Sequence, residues 1–203
     1  MSYASRADGA VQGHWLLARL GKRVLRPGGV ELTRRLLSVV DVSGRDVVEL
    51  APGLGRTAAE IISRGPLSYI GAEQDPDAAG AVRSITSGVG CVRIVDAADT
   101  GLSDASSDVV VGEAMLTMQG DKAKDAIVAE AARLLRPGGR YAIHELALVP
   151  DDLPEAVKTE IRQALSKSIK VNARPLTVAE WRWLLADHGL LVDYIETAPM
   201  ALL

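Results

Sequence analysis

A short apolar segment followed by a glycine-rich turn constrains this chain more than any other stretch. Residues 47–51 read Val-Val-Glu-Leu-Ala, and the turn Pro-Gly-Leu-Gly follows before a helical pattern begins at Thr57. A run of this composition is typical of a parallel strand that is covered on both faces. Gly53 and Gly55 allow a sharp turn and the close approach of a ligand to the backbone. The amides of the first helical turn would then face that ligand.

The turn by itself leaves three interpretations open. The spacing Gly53-x-Gly55-x-x-Ala58 fits a relaxed form of the dinucleotide-binding fingerprint. A site for another adenosine-containing cofactor would need the same features. A tight turn between a strand and a helix, with no ligand, is the third interpretation, and the rest of the chain has to decide among them.

Length and composition limit the classes of protein to consider. The 203 residues suggest one domain with a sizeable core and a small cap. A net charge of −3 and an aromatic content of 3% argue against a nucleic-acid partner. Cys91 is the single cysteine, so we expect no disulfide within the chain and no bound metal. The polar N-terminus is unlike a signal peptide, and no apolar run approaches ~20 residues, so we expect a cytoplasmic protein without a membrane partner.

Alternating strand and helix patterns predict an α/β protein with a doubly wound, Rossmann-like and mostly parallel sheet of about seven strands. The strands are expected at residues 46–51, 68–73, 91–95, from 109, 141–148, 190–197 and 200–203, the last of them short or truncated. Apolar residues at helical spacing predict helices over residues 11–25, 30–40 and 153–169. Asp121 and Thr177 are expected to cap helices, Thr177 in a capping box with Glu180. Asp75-Pro76 is expected to open another helix, with the proline in its first turn.

Polar residues collect where the predicted strands end. Glu73 follows the second strand and lies 20 residues beyond Gly53, where an acid can accept hydrogen bonds from the hydroxyls of a ribose. Asp96, Glu113 and the pair His144-Glu145 lie at the ends of later strands. Ligands of such sheets bind beyond the carboxyl ends of the strands. This coincidence favours a binding site over a collection of solvated acids.

With these residues in place, residues 47–148 resemble the class I S-adenosylmethionine (SAM)-dependent methyltransferases, in their small-molecule, type 11/25-like branch. Residues 47–55 look like the strand-one motif of that family, and Tyr-Ile-Gly-Ala-Glu (69–73) looks like its strand two with the ribose-binding acid. Asp96-Ala97, twelve residues before Asp108, and Arg-Leu-Leu-Arg-Pro-Gly-Gly-Arg (133–140) match two further motifs. Ser107 stands where the family usually has Phe, which weakens packing but keeps the spacing.

The resemblance implies a role for each site residue. Gly53 and Gly55 would lie beneath the methionine and ribose of SAM, and Glu73 would hold the ribose. Asp96 would accept a hydrogen bond from the adenine amino group. The cofactor-binding residues implied in this way are Glu49, Ala51, Pro52, Gly53, Gly55, Glu73, Gln74, Asp96, Ala97, Glu113 and Ala114. The implied organisation is a helical lid over residues 1–45 and a SAM-binding domain over 46–203, with 151–176 as a helical insertion at the acceptor site.

The acceptor is less constrained than the cofactor. Histidine titrates near neutral pH, which suits a base that takes a proton from an acceptor. His144, on strand five, is the first candidate, and His14, on the predicted lid, is the second. The sequence lacks the motifs of enzymes that methylate nucleobases at N6, cytosine at C5 or protein arginine. By elimination, the expected acceptor is a small molecule with an oxygen or nitrogen nucleophile. The basic excess of the first 45 residues is either a solvated helix face or a rim that attracts an anionic acceptor.

Two other functions stay open, a NAD-binding oxidoreductase and a SAM-fold protein that is non-catalytic or directed to RNA.

The predicted last strand also bears on assembly. A short strand at the edge of a sheet leaves backbone groups unpaired, and these can pair with another copy of the chain. A homodimer is therefore a hypothesis.

Overall fold

The computed structural model describes residues 28–169 and 172–199. The predicted helix over residues 11–25 and the predicted strand over 200–203 lie outside the described residues. The helices are α1 (Gly29–Val40), α2 (Arg56–Ile62), α3 (Pro76–Thr86), α4 (Asp121–Leu134), α5 (Glu155–Ile169) and α6 (Val178–Asp187). The strands are β1 (Asp46–Leu50), β2 (Ser68–Ala72), β3 (Gly90–Arg93), β4 (Ser107–Glu113), β5 (Leu135–His144), β6 (Ala147–Leu148) and β7 (Leu176–Thr177).

Five strands form one parallel sheet in the order β3-β2-β1-β4-β5, and β6 pairs with β7 in a separate two-stranded sheet. The predicted doubly wound α/β fold is thus confirmed. The chain builds outward from β1 to β3 and then crosses back to place β4 on the other side of β1. The strand order reverses between β1 and β4, which is where ligands of such sheets bind.

The predicted number of about seven strands is wrong, because the main sheet of the described residues has five. Residues 190–197, predicted as strand six, form no ladder hydrogen bonds, and Leu191 is 91% exposed. Ion pairs join Asp193 to Arg140 of β5 and Glu196 to Arg35 of α1. Apolar, β-branched and aromatic residues favour a pleated surface but supply no partner strand. This segment therefore rests on α1 and β5 through side chains.

Some element bounds also differ from the predicted ones. The strand predicted over residues 141–148 begins at Leu135 as β5, with a register shift between Ser107 and Val109 of β4, and residues 147–148 form β6 instead. The prediction that Asp121 caps α4 is wrong. The N-cap is Gly120, which has no side chain that could accept a capping hydrogen bond. Asp121 is the first helical residue. Its negative charge still favours a helix N-terminus.

Helix starts with strong local signals match their predictions. The Asp75 carboxylate accepts hydrogen bonds from the amides of Asp77 and Ala78 at 2.9 and 3.1 Å, and Pro76 opens α3. Thr177 and Glu180 form the predicted capping box of α6. The predicted helix over 153–169 is present as α5. These local signals act over a few residues, which is why they can be predicted from the sequence.

The core has two layers, one on each face of the sheet. Helices α1, α2 and α3 cover one face, where Leu37, Ile61 and Val82 are fully buried. Helices α4 and α6 cover the other face, where Leu134 and Trp181 pack. Helix α1, which belongs to the lid predicted over residues 1–45, is thus part of this core. None of the helices that the structure describes is long and apolar enough to cross a membrane.

Candidate functional site

The glycine turn after β1 has the backbone geometry that its sequence predicts. Gly53 and Gly55 have φ angles of 56° and 74°, and the Gly55 amide donates to the Pro52 carbonyl at 2.9 Å. The left-handed φ favours glycine at position 55, and a Cβ atom there would also lie 2.5 Å from Cδ1, the flexible end of the Ile85 side chain. Gly55 is also the N-cap of α2. The amides of the first turn of α2 therefore face the space beyond the carboxyl end of β1.

Two alanines in this region have a strained backbone that the sequence did not reveal. Ala51 follows β1 and Ala114 follows β4, and each has a φ of 52°. The two strands are neighbours at the point where the strand order reverses. A non-glycine residue keeps this conformation only when the surrounding structure imposes it. Such residues cluster at functional sites. This strain marks the space between the ends of β1 and β4.

Glu73 lies against the glycine turn, as its position in the sequence suggests. Its Oε2 accepts a hydrogen bond from the Gly53 amide and its Oε1 accepts one from the Asp75 amide, both at 2.9 Å. The residue is 6% exposed, whereas the adjacent Gln74 is exposed. Each carboxylate oxygen has two lone pairs. Glu73 can therefore fix the turn and still accept further hydrogen bonds from a ligand.

Asp96 and Ala97 lie on a tight turn after β3. The Asp96 carbonyl accepts from the Asp99 amide at 3.1 Å, and its Oδ1 accepts from the Ala98 amide at 2.8 Å. Asp96 is exposed and Ala97 is half-buried. The carboxyl end of β3 is two strands away from β1 in the sheet. This turn thus forms one end of a row of polar groups that runs along the sheet edge through Glu73 and the glycine turn.

Helix α4 supplies an acid that holds the loop beyond this turn, and sequence reasoning missed its role. Glu130 is only 7% exposed, and its Oε1 accepts from the Thr100 amide and hydroxyl at 2.9 and 2.6 Å. The Arg133 guanidinium donates to both of its oxygens at 2.7 Å. Burial alone would raise the pKa of Glu130, but the bonds from Arg133 and Thr100 lower it to about 2. The signal in the sequence was a charged residue within the apolar stripe of α4.

Glu49 lies deeper than the glycine turn. It is 2% exposed on β1, and the Tyr69 hydroxyl donates to its Oε2 at 2.7 Å. Burial, together with the neighbouring Glu49 charge, raises the pKa of Tyr69 well above its usual value. The carboxylate is thus held in the core beneath the turn, on the face covered by α1, α2 and α3.

Glu113 joins four elements at the end of β4. Its carboxylate accepts a hydrogen bond from the Thr33 hydroxyl of α1 at 2.9 Å and another from the Thr57 hydroxyl of α2. His144 of β5 lies with Nδ1 at 3.0 Å from Glu113 Oε1. The side chains of His144 and Glu113 are 12% and 4% exposed. Because an ionised carboxylate only accepts hydrogen bonds, Nδ1 of His144 is the donor in this contact.

Glu145, next in the chain, fixes the turn that follows β4. Its carboxylate accepts hydrogen bonds from the amides of Met115, Leu116 and Thr117 at 2.8–3.0 Å and from the Thr117 hydroxyl at 2.6 Å. Burial raises the pKa of Glu145, and these bonds oppose that effect. The carboxylate thus ties the ends of β4 and β5 together beneath the site. His14, the second histidine candidate, lies outside the described residues.

The sequence of this chain is similar to those of known proteins. The methyltransferase domain family matches residues 48–143, which include every predicted cofactor residue. An uncharacterized protein of Haemophilus influenzae is 32% identical over 183 residues, covering 87% of this chain and 71% of that protein.

Two solved structures have the same fold at low sequence identity. A SAM-dependent methyltransferase from Mesorhizobium loti aligns with a TM-score of 0.67 and 16% identity, covering 82% of each chain. The phosphoethanolamine N-methyltransferase 2 of Haemonchus contortus, solved with phosphomonomethylethanolamine and S-adenosylhomocysteine, aligns with a TM-score of 0.67 and 17% identity. That alignment covers 92% of this chain and 44% of the other.

Proposed function

The chain belongs to the class I SAM-dependent methyltransferases, and from this premise we propose that it binds SAM along the carboxyl ends of β1 to β4 and methylates an oxygen or nitrogen of a small molecule. Membership in this family sets aside the oxidoreductase interpretation of the glycine turn. The observation that carries the proposal is the contact between Glu73 and Gly53, because it brings a carboxylate onto the turn where the ribose of SAM would lie.

The residues present suit an adenosyl sulfonium. The turn at Gly53 and Gly55 leaves the backbone open to a ligand, and Glu73 keeps lone pairs for ribose hydroxyls. The exposed Asp96 carboxylate would accept a hydrogen bond from the adenine amino group. The cofactor would also contact the backbone or side chains of five further residues, Ala51, Pro52, Gln74, Ala97 and Ala114. Glu49 would act from below, by ordering the turn rather than by contact.

When bound, SAM supplies a sulfonium methyl group whose carbon an acceptor attacks in line. Nε2 of His144 would take the proton of an acceptor hydroxyl or amine, because Nδ1 is held against Glu113. Glu113 would keep that tautomer and stabilise the imidazolium that forms. We therefore propose a positioning role for Glu113 in place of the cofactor contact expected from the sequence. Thr33 and Thr57 would hold its carboxylate.

We also propose an anionic acceptor, and two cations that share one carboxylate partner lie near the end of β4. Lys124, whose side chain is 2% exposed, lies 3.8 Å from Asp121, and Arg174 lies 3.9 Å from the same carboxylate. The Arg174 amide donates to the Thr117 carbonyl at 2.7 Å, so this segment packs on the turn after β4. Arg174 belongs to the segment 151–176, which we propose as the acceptor-site insertion. A carboxylate or phosphate on the acceptor would complement these charges.

Assembly and location stay predictions. The outer edge of β5 has no strand partner among the described residues, which supports the homodimer hypothesis. Light scattering on the purified chain tests it, and a monomer would reject it. A cytoplasmic location is likewise proposed from the sequence.

Calorimetric titration with SAM, S-adenosylhomocysteine and NAD tests the cofactor assignment. We expect binding of the first two and none of NAD. Glu73→Gln keeps the side-chain shape but loses a charged acceptor, so we expect both adenosyl ligands to bind about 30-fold more weakly. Glu160→Ala, at an exposed position of α5, is the control and should bind as the wild type does. A folded wild-type chain that binds neither adenosyl ligand would refute the proposal.

A further inference from the structure

We propose that Glu130 of α4 is a positioning residue that sets the affinity of the site for adenine by holding the loop that carries Asp96 and Ala97. The inference rests on the proposed function, because it takes Asp96 and Ala97 as the adenine-binding pair. Glu130 itself lies 30 or more residues away from that pair along the chain. Its effect would act through Thr100.

The connection between β3 and β4 lacks the element that usually stabilises such a crossover. Two parallel strands are commonly joined through a helix, but residues 94–106 contain none. The crossover passes from one side of β1 to the other. Its backbone amides and carbonyls have no helical ladder to pair with, and buried backbone groups need partners. The conformation of this loop therefore depends on groups from other elements.

Helix α4 supplies those partners at three points. Glu130 accepts from the Thr100 amide and hydroxyl at 2.9 and 2.6 Å. The carbonyls of Arg133 and Leu134 accept from the amides of Ala105 and Ser106 at 3.0 and 2.9 Å. The last two contacts fix the end of the loop that enters β4. The Glu130 contact alone among these three lies near the adenine end.

Thr100 follows the Asp96 turn directly. The turn is closed by the bond between the Asp99 amide and the Asp96 carbonyl, and its next residue is Thr100, which is 1% exposed. The turn is thus fixed at its start by β3 and at its end by Glu130. A shift of Thr100 would rotate the turn and move the Asp96 carboxylate away from its ligand. Misplacement of this kind weakens binding even though no contact residue changes.

Glu130 is well suited to act as a fixed anchor. The Arg133 guanidinium grips both of its oxygens at 2.7 Å, which restricts the carboxylate to one orientation. Arg133 also pairs with Asp104 of the same loop. A neutral side chain at position 130 would keep one acceptor for Thr100 but lose the charged grip of Arg133. The turn at Asp96 would then be held less firmly.

The test measures adenine recognition and overall stability separately. We compare the affinities for S-adenosylhomocysteine and for its inosine analogue, in which a carbonyl oxygen replaces the adenine amino group. The wild type should prefer the adenine compound, because the analogue presents an acceptor to the Asp96 carboxylate. Glu130→Gln should bind S-adenosylhomocysteine about tenfold more weakly while its affinity for the analogue changes little, so the preference shrinks.

Arg136→Gln is the matched control. Arg136 pairs with Asp46 and Asp108 at the opposite, amino-terminal edge of the sheet. This substitution should lower the melting temperature and leave the preference for adenine unchanged. If Glu130→Gln is insoluble, Thr100→Val removes the hydroxyl of the same contact and should shrink the preference in the same direction.

The outcomes separate the two proposals. A wild-type chain that binds no adenosyl ligand refutes the proposed function. A wild type that binds and discriminates, together with Glu130→Gln that discriminates equally well, leaves the function standing and overturns the positioning role of Glu130. An equal loss of affinity for both ligands also overturns it, because that result reports general destabilisation.

Discussion

His144 is the proposed base of the reaction, and its Nδ1 lies 3.0 Å from Oε1 of Glu113. An imidazole can accept a proton at Nε2 only if its other nitrogen keeps a hydrogen. The Glu113 carboxylate enforces that tautomer, and the hydroxyls of Thr33 and Thr57 restrict the carboxylate in turn. The base would therefore be prepared before any acceptor arrives, which lowers the reorganisation that the reaction requires.

Substitutions at these two residues should affect turnover more than cofactor affinity. His144→Asn removes the proposed base, and we expect kcat to fall about 100-fold. Glu113→Gln can donate its amide hydrogen to Nδ1 and so favour the wrong tautomer, with a comparable loss. The measurement is initial-rate kinetics once a metabolite panel identifies an acceptor, with calorimetric affinity for SAM alongside it.

His188→Asn is the control for this prediction, because His188 pairs with Asp125 at the protein surface. It should leave kcat unchanged. Full activity in His144→Asn would show that the acceptor needs no base or finds it elsewhere. A loss of SAM affinity in Glu113→Gln as large as the loss of kcat would return Glu113 to a cofactor-binding role.

Individual residues also show where sequence reasoning ends. The position of Glu113 after β4 could be predicted, because strand ends follow from local apolar patterns. Its partners could not, since Thr33 and Thr57 come from helices 80 and 56 residues away in the chain. The φ of 52° at Ala51 and Ala114 was equally hidden, because alanine gives no signal for a left-handed backbone.

At the scale of elements, α6 depends on the capping box at its first turn. The Thr177 hydroxyl accepts from the Glu180 amide at 3.2 Å, and the Glu180 carboxylate accepts from the Thr177 amide at 2.7 Å. Lys158 of α5 donates to the same glutamate at 2.6 Å. The cap therefore joins the end of β7, the start of α6 and the helix of the predicted insertion.

Loss of this cap should destabilise the protein measurably. Thr177→Ala removes the acceptor of the Glu180 amide, and we expect the free energy of unfolding to fall by ~1 kcal/mol. Thr177→Ser keeps the oxygen and should restore most of that loss. Urea titration followed by circular dichroism measures both. Equal stabilities of the Ala and Ser variants would assign the effect to the lost methyl group instead of the cap.

Elements with local signals could be predicted, and those that need a partner could not. The pairs Asp75-Pro76 and Thr177–Glu180 mark helix starts within a few residues, and the structure has both. The residues at 190–197 predicted a strand, but a strand also needs a free edge in the right register. That requirement depends on distant parts of the chain. The segment instead packs by side chains and surface ion pairs.

At the scale of the whole molecule, the predicted site residues come together because the strands of the sheet are parallel. The sequence placed acids after successive strands, and the parallel sheet brings those ends to one edge. Two charged networks then connect the strands over long distances. Arg136 joins Asp46 to Asp108 at the amino ends of β1 and β4, whereas Glu130 joins α4 to the loop after β3. Neither network could be derived from local patterns.

These networks predict how acid affects the folded protein. Hydrogen bonds from the Asp46 amide and from Arg136 lower the pKa of Asp108, and the pKa of Glu130 falls to about 2 from an ordinary value of 4.5. A carboxylate whose pKa is lower in the folded state binds protons more readily when unfolded. Each of the two carboxylates therefore stabilises the fold at neutral pH and loses this contribution in acid. For Glu130 the loss runs from pH ~4.5 down to pH ~2.

The Glu130 contribution can be isolated by comparing the wild type with Glu130→Gln across pH. The fall in the Glu130 pKa from 4.5 to about 2 is equivalent to roughly 3 kcal/mol of stabilisation at neutral pH. Because glutamine does not titrate, the difference in unfolding free energy between the two proteins should be largest above pH ~5 and should shrink towards pH ~3. Urea titrations at pH 7, 5, 4 and 3 measure it. A difference that stays constant over this range would mean that the carboxylate is not ionised in the Arg133 contact, and the network would then act through shape alone.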